Sequence, residues 1–441
     1  MNDIKRSTLL APIRVLTIFV IVGVLLFLFG PIKYSFDNRF SVVVFMSVFL
    51  LVANISYRIG INKTSKSPRK AIYIKGFNVN SFVKFCIIYT FVLEMLLLLE
   101  TSIRGNIRIS LDLKNIFQDA ATAYTFEEYT TTISGWVISY TYFFVNCALT
   151  FGIYEWKNLE KRYHILYLCT LPLMVVYNTF CIGSLKGVID YAVYILVGYL
   201  IRGFTHNSGS YKDLKEENHR KRRVLILGVI LAIFIALSLV ARQTMWTNMF
   251  MSQYSPVPGS YDSVDENHIL IRYLPDSAKM GVLQLLSYLT QGYFGLSVCL
   301  AIPFKWSMGM GTSFKIMDDV LRWTGSNGEW FSKSYPVRAQ EIMNYPAYSA
   351  WHTVFPWFAS DFTFIGSIII VSLIVYWLAR AWKYSLEHRD IFSILVCSNL
   401  AIFFLHISGT NHLLIRRNTL VCLLIITVGY CLFRCKHSEL E

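Results

Sequence analysis

Charged side chains are scarce in this chain, and acidic ones are the scarcest. Only 15% of its 441 residues are charged, against 55% that are hydrophobic, and Asp and Glu together number 27 against 41 Lys and Arg. Uncharged runs of about 18 to 22 residues recur along the sequence, which is the length that an α-helix needs to cross a bilayer. This pattern excludes a water-soluble enzyme and predicts an all-α polytopic membrane protein with a single integral membrane domain.

Paired cysteines and acidic metal-binding clusters are also lacking. The nine cysteines are scattered, mostly within apolar runs, and none stands in a Cys-x-x-Cys pair. No Asp-x-Asp cluster is present either. We therefore expect neither disulfides nor a metal, and no cofactor. No internal period links the two halves of the chain, which argues against a secondary transporter built from repeats.

The excess positive charge lies in short connectors between apolar runs. The connector 58–75 holds six Lys and Arg with no acid, and 202–223 holds seven with three acids. Such clusters hold loops on the cytoplasmic side of a membrane, and this placement argues against nucleic acid as a partner. We expect both connectors and both termini to be cytoplasmic.

Eleven segments are predicted to span the membrane by length and apolarity. They are 11–30, 40–57, 80–100, 134–153, 164–182, 186–204, 224–241, 281–302, 363–380, 391–408 and 418–433. If 281–302 crossed alone, the basic connector 381–390 would face outward, against the charge rule. Glycines 292 and 295 predict a break in that run, so that it dips into the membrane and returns or pairs with a return leg in 303–320. The region 242–362 then becomes one large outward region.

One outward stretch, 343–365, concentrates side chains suited to binding and catalysis. It sets His352 and Asp361 among Tyr345, Tyr348 and Trp351, just before a long apolar run. The surrounding region 242–362 carries eight Lys and Arg and six Trp. Aromatic faces pack on the C–H faces of sugars, and cations bind phosphate oxygens. The composition therefore predicts an anionic ligand that bears sugars.

Three runs of this sequence resemble motifs of the Wzy-type O-antigen polymerases and, more distantly, of the O-antigen ligases. The first is WHTVFPWFASDFTFIGSI at 351–368, which places His352 on the family's motif histidine. The second is YLTQGYFGLSVCLAIPFKWSMGMGTS at 288–313, similar to a Gly-Tyr-Tyr-Gly-Leu, Trp and Gly-x-Gly-x-Ser succession. The third is GSLKG at 183–187, where Lys186 stands in place of the usual arginine.

The resemblance implies a fold, a location and a reaction. It implies about 10 to 12 transmembrane helices with a GT-C-like ligase or polymerase architecture in a bacterial inner membrane, with the active site facing the periplasm. A growing glycan on undecaprenyl diphosphate would be transferred to the terminal hydroxyl of a new lipid-linked repeat unit, without a metal. The expected partners are this lipid-linked oligosaccharide, the bilayer and a chain-length regulator.

Such a transfer needs a proton acceptor and cations for the departing diphosphate. His352 is the expected base, and Glu341 and Asp361 are the alternatives. If these residues are structural instead of catalytic, we expect His352 to hydrogen-bond its own loop and Asp361 to cap a helix that starts near Phe362. Glu341 would then be solvated. The expected substrate-binding residues are the cations Arg242, Arg416, Arg417, Arg338 and Lys186 and the aromatic residues Tyr345, Tyr348, Trp351 and Tyr293.

Further alternatives stay open from the sequence. Asp190, His406 and His412, near outer helix ends, either line the same cavity or are buried polar groups that pair with one another. An O-antigen ligase would share the histidine motif and differ only in its acceptor. A lipid-linked oligosaccharide flippase would also be basic and polytopic, although it should show two related halves.

Overall fold

The described chain is predominantly helical. In a computed structural model of the protein, the structure describes residues 4, 6–35, 38–63, 72–73, 78–103, 133–181, 185–205, 261–313, 320–321, 323–325, 331–347 and 350–434. The principal helices are α1 (Ala11–Phe29), α2 (Arg39–Asn62), α3 (Val79–Ile103), α4 (Ile133–Tyr154), α5 (Lys161–Val176), α6 (Leu185–Thr205), α7 (Asp276–Leu300), α8 (Tyr335–Met343), α9 (Val354–His388), α10 (Ile391–Leu405) and α11 (Arg417–Leu432).

Short elements complete the described part of the chain. Single helical turns occupy Arg6–Leu9 and His412–Ile415, 3-10 turns occupy Trp156–Asn158 and Phe331–Lys333, and a π-helical segment, Tyr177–Cys181, follows α5. Strand β1 (Ile32–Tyr34) pairs antiparallel with β3 (Tyr261–Val264), and β2 (Ile72–Tyr73) pairs parallel with β4 (Phe433–Arg434).

Six described helices are long and apolar enough to cross a membrane: α1, α2, α3, α4, α9, and α6 from Lys186 onward. Helices α10 and α11 are apolar but shorter. Large apolar side chains such as Ile18, Leu51 and Leu99 point away from the protein, each more than half exposed. Exposure of this kind suits a lipid surround. The expected all-α polytopic class is confirmed at this level; the predicted span 224–241 lies outside the described residues.

Contacts between connectors define the two ends of the bundle. At one end, which we call the basic end, Arg380 Nη1 donates to the Lys63 carbonyl at 2.7 Å and Arg389 Nη2 to the Thr205 carbonyl at 2.8 Å. The β2–β4 pair brings the C-terminal strand beside the connector 58–75. Trp382 donates to the Thr8 carbonyl beside the start of α1, and β1 follows the far end of α1, so the β1–β3 pair lies at the opposite end. The described parts of the connectors 58–75 and 202–223 thus lie with Arg380 and Arg389 at one end of the bundle, and which side of the membrane that end faces stays a prediction.

Helix α7 runs without interruption through Gly292 and Gly295. The expected break at these glycines is therefore wrong. Their lack of a side chain serves packing instead, because a Cβ at Gly292 would clash with the carbonyl oxygen of Ser408, and one at Gly295 would lie 2.9 Å from His352 Nδ1. Glycine here permits close approach of backbone rather than bending.

The middle of α7 packs against segments of the opposite end. Tyr34, in β1, hydrogen-bonds Thr290 at 2.6 Å, and Asn38 Nδ2 donates to the Ser297 carbonyl at 3.0 Å. The Gly292 carbonyl accepts from the backbone N–H of Thr353. Whether 281–302 dips into the membrane stays a prediction. The segment that would dip is the continuous helix α7.

Helix α9 consists of two helical halves joined at Thr363, whose φ of 64° and ψ of 169° are not helical. A β-branched residue rarely adopts a positive φ, and such strain costs about 1–3 kcal/mol. The first half, 354–362, is buried apart from Phe362. The sequence predicted that a helix starts near Phe362, but α9 begins at Val354, because the run from Val354 to Asp361 has no helix breaker after Pro356, which sits within the first turn.

Buried amides and hydroxyls join four helices in the interior. Asn146 of α4 donates to Cys422 Sγ of α11 at 3.6 Å and accepts from Thr150 at 3.1 Å. Tyr194 of α6 donates to Asn399 Oδ1 of α10 at 3.4 Å. Interhelical hydrogen bonds of this kind hold helices together where no hydrophobic force favours their association. Ser398 of α10 also donates to Asn146 Oδ1 at 3.4 Å, so these bonds link α4, α6, α10 and α11. Contacts between His406 and both Asp190 and His412 bring the opposite-end termini of α6, α10 and α11 together.

Candidate functional site

A cluster of ionisable side chains lies where these termini meet, and we call it the polar cluster: Lys186, Asp190, His406, His412 and Arg416. Lys186 and Asp190 lie on the first turns of α6, and His406 directly follows α10. His412 opens the turn His412–Ile415, and Arg416 precedes α11. Three separate parts of the chain therefore contribute to one site.

Asp190 is the centre of the polar cluster. Its Oδ2 accepts a hydrogen bond from Lys186 Nζ at 2.6 Å, and its Oδ1 accepts one from His406 Nε2 at 3.0 Å. The side chains of Asp190 and His406 are 8% and 9% exposed, so water hardly screens these contacts. A buried carboxylate needs such partners. The pairing interpretation of Asp190 and His406 is thereby confirmed, while their role as a cavity lining stays a prediction.

His412 lies against His406, with ring centroids 4.1 Å apart and nearly perpendicular planes. Both ring nitrogens of His412 are buried without a hydrogen-bond partner among the described residues. Burial, together with the nearby charges of Lys186 and Arg416, lowers the pKa of His412 well below its ordinary value. The ring is therefore neutral near pH 7 and can accept a proton or a hydrogen bond.

The two adjacent arginines before α11 have different surroundings. Arg416 is exposed, and its charge acts on Lys186, His406 and His412. Arg417 lies with its guanidinium 4.6 Å from the ring centre of Trp136 on α4. Of this predicted pair, the structure brings Arg416 to the polar cluster and turns Arg417 toward an aromatic surface.

Trp351 packs beside the two histidines of the polar cluster. Its ring centre lies 6.2 Å from that of His406 and 6.1 Å from that of His412, and Tyr288 of α7 packs on it at 5.3 Å. The ring also fits against Gly409, where any Cβ would clash with it. An indole beside cations is suited to a sugar that carries a phosphate.

His352 is enclosed on all sides by the protein, with no exposed surface. Its Nε2 lies 3.4 Å from the Pro346 carbonyl, its Nδ1 lies 3.9 Å from Cys299 Sγ, and the Tyr345 ring packs on it at 4.8 Å. Burial lowers the pKa of His352 to about 4. The catalytic role of His352 stays a prediction; in this geometry it supports the loop that carries Trp351.

Tyr345 shares that supporting role. Its hydroxyl donates to the carbonyl oxygens of Trp351, at 2.7 Å, and Gln291, at 3.1 Å. The side chain is fully buried. Tyr345 therefore ties the Trp351 loop to α7, and its predicted contact with substrate would require these hydrogen bonds to open.

Asp361 lies at the break in α9 and accepts four hydrogen bonds from the loop 307–313. Ser307 Oγ and the Gly311 N–H reach its Oδ1 at 2.6 Å and 3.2 Å, and the N–H and hydroxyl of Thr312 reach its Oδ2 at 2.7 Å and 2.6 Å. These bonds join the two longest motif runs noted in the sequence. The sequence analysis missed Ser307 and Thr312 as partners of Asp361, although the Gly-x-Gly-x-Ser spacing marked their loop.

The same loop reaches the polar cluster on its other side. The Thr312 carbonyl accepts from Asn411 Nδ2 at 3.1 Å, and Ser313 Oγ donates to the Leu414 carbonyl. Asn411 and Leu414 flank His412 along the chain. The break in α9 is therefore connected through 307–313 to the segment that carries His412 and Arg416.

Glu341, Arg338 and Tyr293 have no described contact with the polar cluster. Glu341 is exposed on α8, and Arg338 on the same helix donates from Nη1 to the Pro303 carbonyl at 2.6 Å. Tyr293 is buried against Gly23 of α1. Arg242 and Tyr348 lie outside the described residues. Their assignments as base or substrate ligands stay predictions.

Within the described ranges, no group of three or more His, Cys, Asp and Glu is placed to hold a metal ion. No protein-family model matches the chain, and neither a curated protein nor a solved structure is detectably similar to it. The chemistry of the described side chains therefore carries the functional argument.

Proposed function

We propose that this protein is a bacterial inner-membrane glycosyltransferase that polymerises undecaprenyl-diphosphate-linked repeat units of O-antigen or a similar surface polysaccharide. The growing glycan leaves its diphosphate carrier and joins the terminal hydroxyl of a new lipid-linked unit on the periplasmic face. No metal takes part, because protein cations stabilise the leaving diphosphate.

One observation carries this proposal. Lys186 and Arg416 were selected from the sequence as diphosphate ligands, and they lie on different helices. Both nevertheless belong to the polar cluster, where the charge of each affects the same two histidines. Asp190 balances only one of these two cations, so the polar cluster keeps a net positive charge that a bound anion would offset. A diphosphate with an attached sugar, packed against Trp351, has the required charge and shape.

The end of the bundle opposite the basic end has the chemistry that both substrates need. Phosphate groups stay in the headgroup region of a bilayer, while the polyprenyl chain lies between apolar helices. Arg416 is exposed at the start of α11, and apolar side chains such as Leu424 and Val428 lie exposed further along that helix. One helix can thus offer a cation to the diphosphate and an apolar face to the lipid.

The experiment is the length distribution of surface glycan after deletion of the gene. A polymerase leaves single repeat units attached when it is lost. A ligase leaves no glycan attached while polymer accumulates on the carrier lipid, and a flippase strands single units on the cytoplasmic side. Single attached units would support the proposal, and either of the other two patterns would replace it.

Complementation of the deletion tests the polar cluster. Arg416→Ala should fail to restore polymer, and Arg416→Lys should be impaired almost as much, because lysine keeps the charge but lacks the bidentate guanidinium. Arg272→Ala is the matched control, since Arg272 is also an exposed arginine but contacts Tyr273 rather than the polar cluster. Full-length polymer with Arg416→Ala at normal protein levels would remove Arg416 from the mechanism.

A further inference from the structure

The Asp190–His406 pair has the arrangement of an oriented general base. In such pairs a carboxylate holds one ring N–H, which fixes the tautomer and leaves the other nitrogen with a lone pair. Here Asp190 Oδ1 accepts from His406 Nε2 at 3.0 Å, so Nδ1 of His406 is the free acceptor. No described residue hydrogen-bonds to that Nδ1. His406 therefore has the proton-accepting atom that the enclosed His352 cannot offer to a substrate.

Lys186 strengthens this arrangement. Its ammonium contacts Asp190 Oδ2 at 2.6 Å, on the carboxylate oxygen that His406 does not use. The carboxylate is thereby held in place from both sides, and the imidazole plane is fixed relative to α6. A base that is already oriented loses little entropy when the reaction begins.

A second, independent observation points to a ligand at this place. Both nitrogens of His412 are buried without partners in the described part of the chain, and its ring lies 4.1 Å from that of His406. Buried polar atoms in folded proteins are nearly always hydrogen-bonded. A polar group from another molecule is therefore expected beside the two rings, within reach of His406.

We infer that the Asp190–His406 pair takes the proton from the hydroxyl of the acceptor sugar, with His412 hydrogen-bonded to the same incoming unit. This inference rests on the proposed polymerase function and assigns its proton acceptor to a residue outside the histidine motif. His406 is the catalytic residue, and Asp190 is a positioning residue that acts through it.

The transfer step forms one glycosidic bond and breaks another bond to the diphosphate. The acceptor oxygen forms a bond to the anomeric carbon of the donor glycan while its proton moves to Nδ1 of His406. The bond between that carbon and the diphosphate oxygen breaks, and its electron pair leaves with undecaprenyl diphosphate. The imidazolium is stabilised by Asp190 until it returns the proton to the released diphosphate or to water.

The test uses the purified full-length protein with undecaprenyl-diphosphate-linked repeat units. His406→Gln should slow chain growth about 10²–10⁴-fold while donor binding, followed by native mass spectrometry, is retained. His406→Ala should be equally slow, and added imidazole should restore part of its rate, because the small base can occupy the place of the lost ring. His268→Gln is the control, since His268 hydrogen-bonds the Phe29 carbonyl and has no described contact with the polar cluster.

Asp190→Asn separates a positioning role of Asp190 from a purely structural one. The amide would donate to His406 Nε2 and move the ring proton to Nδ1, so the rate should fall about 10²-fold or more with the donor still bound. Asp190→Glu, which keeps the carboxylate, should retain more activity than Asp190→Asn.

Distinct outcomes separate this inference from the function. A wild-type protein that makes no polymer contradicts the proposed function itself. If the wild type is active and His406→Gln keeps a tenth or more of the wild-type rate, the inference is overturned. It is also overturned if added imidazole restores the rate of His412→Ala but not that of His406→Ala. An inactive His406→Ala that binds donor and is not rescued also overturns it. Should His406→Ala fail to fold, the rate of His406→Gln decides.

Discussion

Thr312 donates two hydrogen bonds to Asp361, one from its backbone N–H at 2.7 Å and one from its hydroxyl at 2.6 Å. They fasten the loop 307–313 to the break in α9, and Asn411 fastens the same loop to the polar cluster. The carboxylate thus has its four hydrogen bonds within the protein. A structural role explains Asp361 fully, without a proton-transfer step.

Asp361→Asn should therefore destabilise the protein rather than abolish its chemistry. The new amide group would face donors of the loop and leave at least one of them unsatisfied, at a cost of about 1–3 kcal/mol. Thermal unfolding in detergent should show a lower melting temperature, and the rate per folded molecule should fall less than about tenfold. A normal melting temperature combined with a rate loss above about 10²-fold would instead make Asp361 the base.

The strained conformation of Thr363 gives a second prediction. Glycine adopts its φ of 64° and ψ of 169° without the clash that a Cβ creates, so Thr363→Gly should be more stable than Thr363→Ala, which keeps the Cβ. We expect a difference of about 1 kcal/mol in the free energy of unfolding, because the strain relief is partly offset by the larger entropy of glycine in the unfolded chain. Equal stability of the two variants would show that Thr363 is not strained.

The glycines of α7 should differ in their tolerance of a side chain. A Cβ at Gly292 meets the backbone carbonyl of Ser408, which cannot move alone, whereas the nearest atoms to a Cβ at Gly295 lie 2.9 Å away. Gly292→Ala should therefore reduce the amount of folded protein more than Gly295→Ala does, with the overpacking costing about 1–3 kcal/mol. The amount of monodisperse protein extracted from membranes measures this. The reverse order would contradict the packing of α7 against the loop after α10.

Acid should destabilise the protein through His352. Burial lowers the pKa of His352 in the folded protein to about 4 from an ordinary 6.5, so the unfolded chain takes up the proton first. Stability is then fully present above about pH 6.5 and is lost as the pH falls toward about 4, by about 2 kcal/mol between about pH 7.5 and about pH 5. Unfolding of wild type and His352→Gln at both pH values isolates this contribution.

His352→Gln should show the smaller acid-induced loss, because glutamine has no proton to gain. All other residues are the same in the two proteins, so the comparison removes the contributions of every other group. An identical acid-induced loss in the two proteins would indicate that His352 is accessible to water, and it would restore His352 as a candidate base.

The all-α fold class and the positions of most long helices could be predicted from the sequence because they depend on local composition. Apolar runs of spanning length predicted α1 to α4 and α6, while the cytoplasmic location of the basic connectors stays a prediction. Lys186 and Arg416 could be selected from their positions at helix ends, yet nothing local shows that they belong to one cluster. That contact depends on how α6 and α11 pack together.

The misjudged elements share a physical cause, which is dependence on distant partners. Gly292 suggested a bend because glycine weakens helices, but its neighbour Ser408 is remote in the sequence and makes it a packing position. The break of α9 at Thr363 lies beside Asp361, whose partners Ser307 and Thr312 are remote in the sequence. Periodicity within one segment carries no information about such contacts.

This protein by itself should join lipid-linked repeat units into polymer. The purified protein can be reconstituted in lipid vesicles with undecaprenyl-diphosphate-linked single units as the sole substrate, and the products sized by mass spectrometry. We expect glycans of several repeat units on undecaprenyl diphosphate, with one free undecaprenyl diphosphate released for each bond formed. Recovery of unchanged single units by protein that binds them, with no diphosphate carrier released, would contradict it.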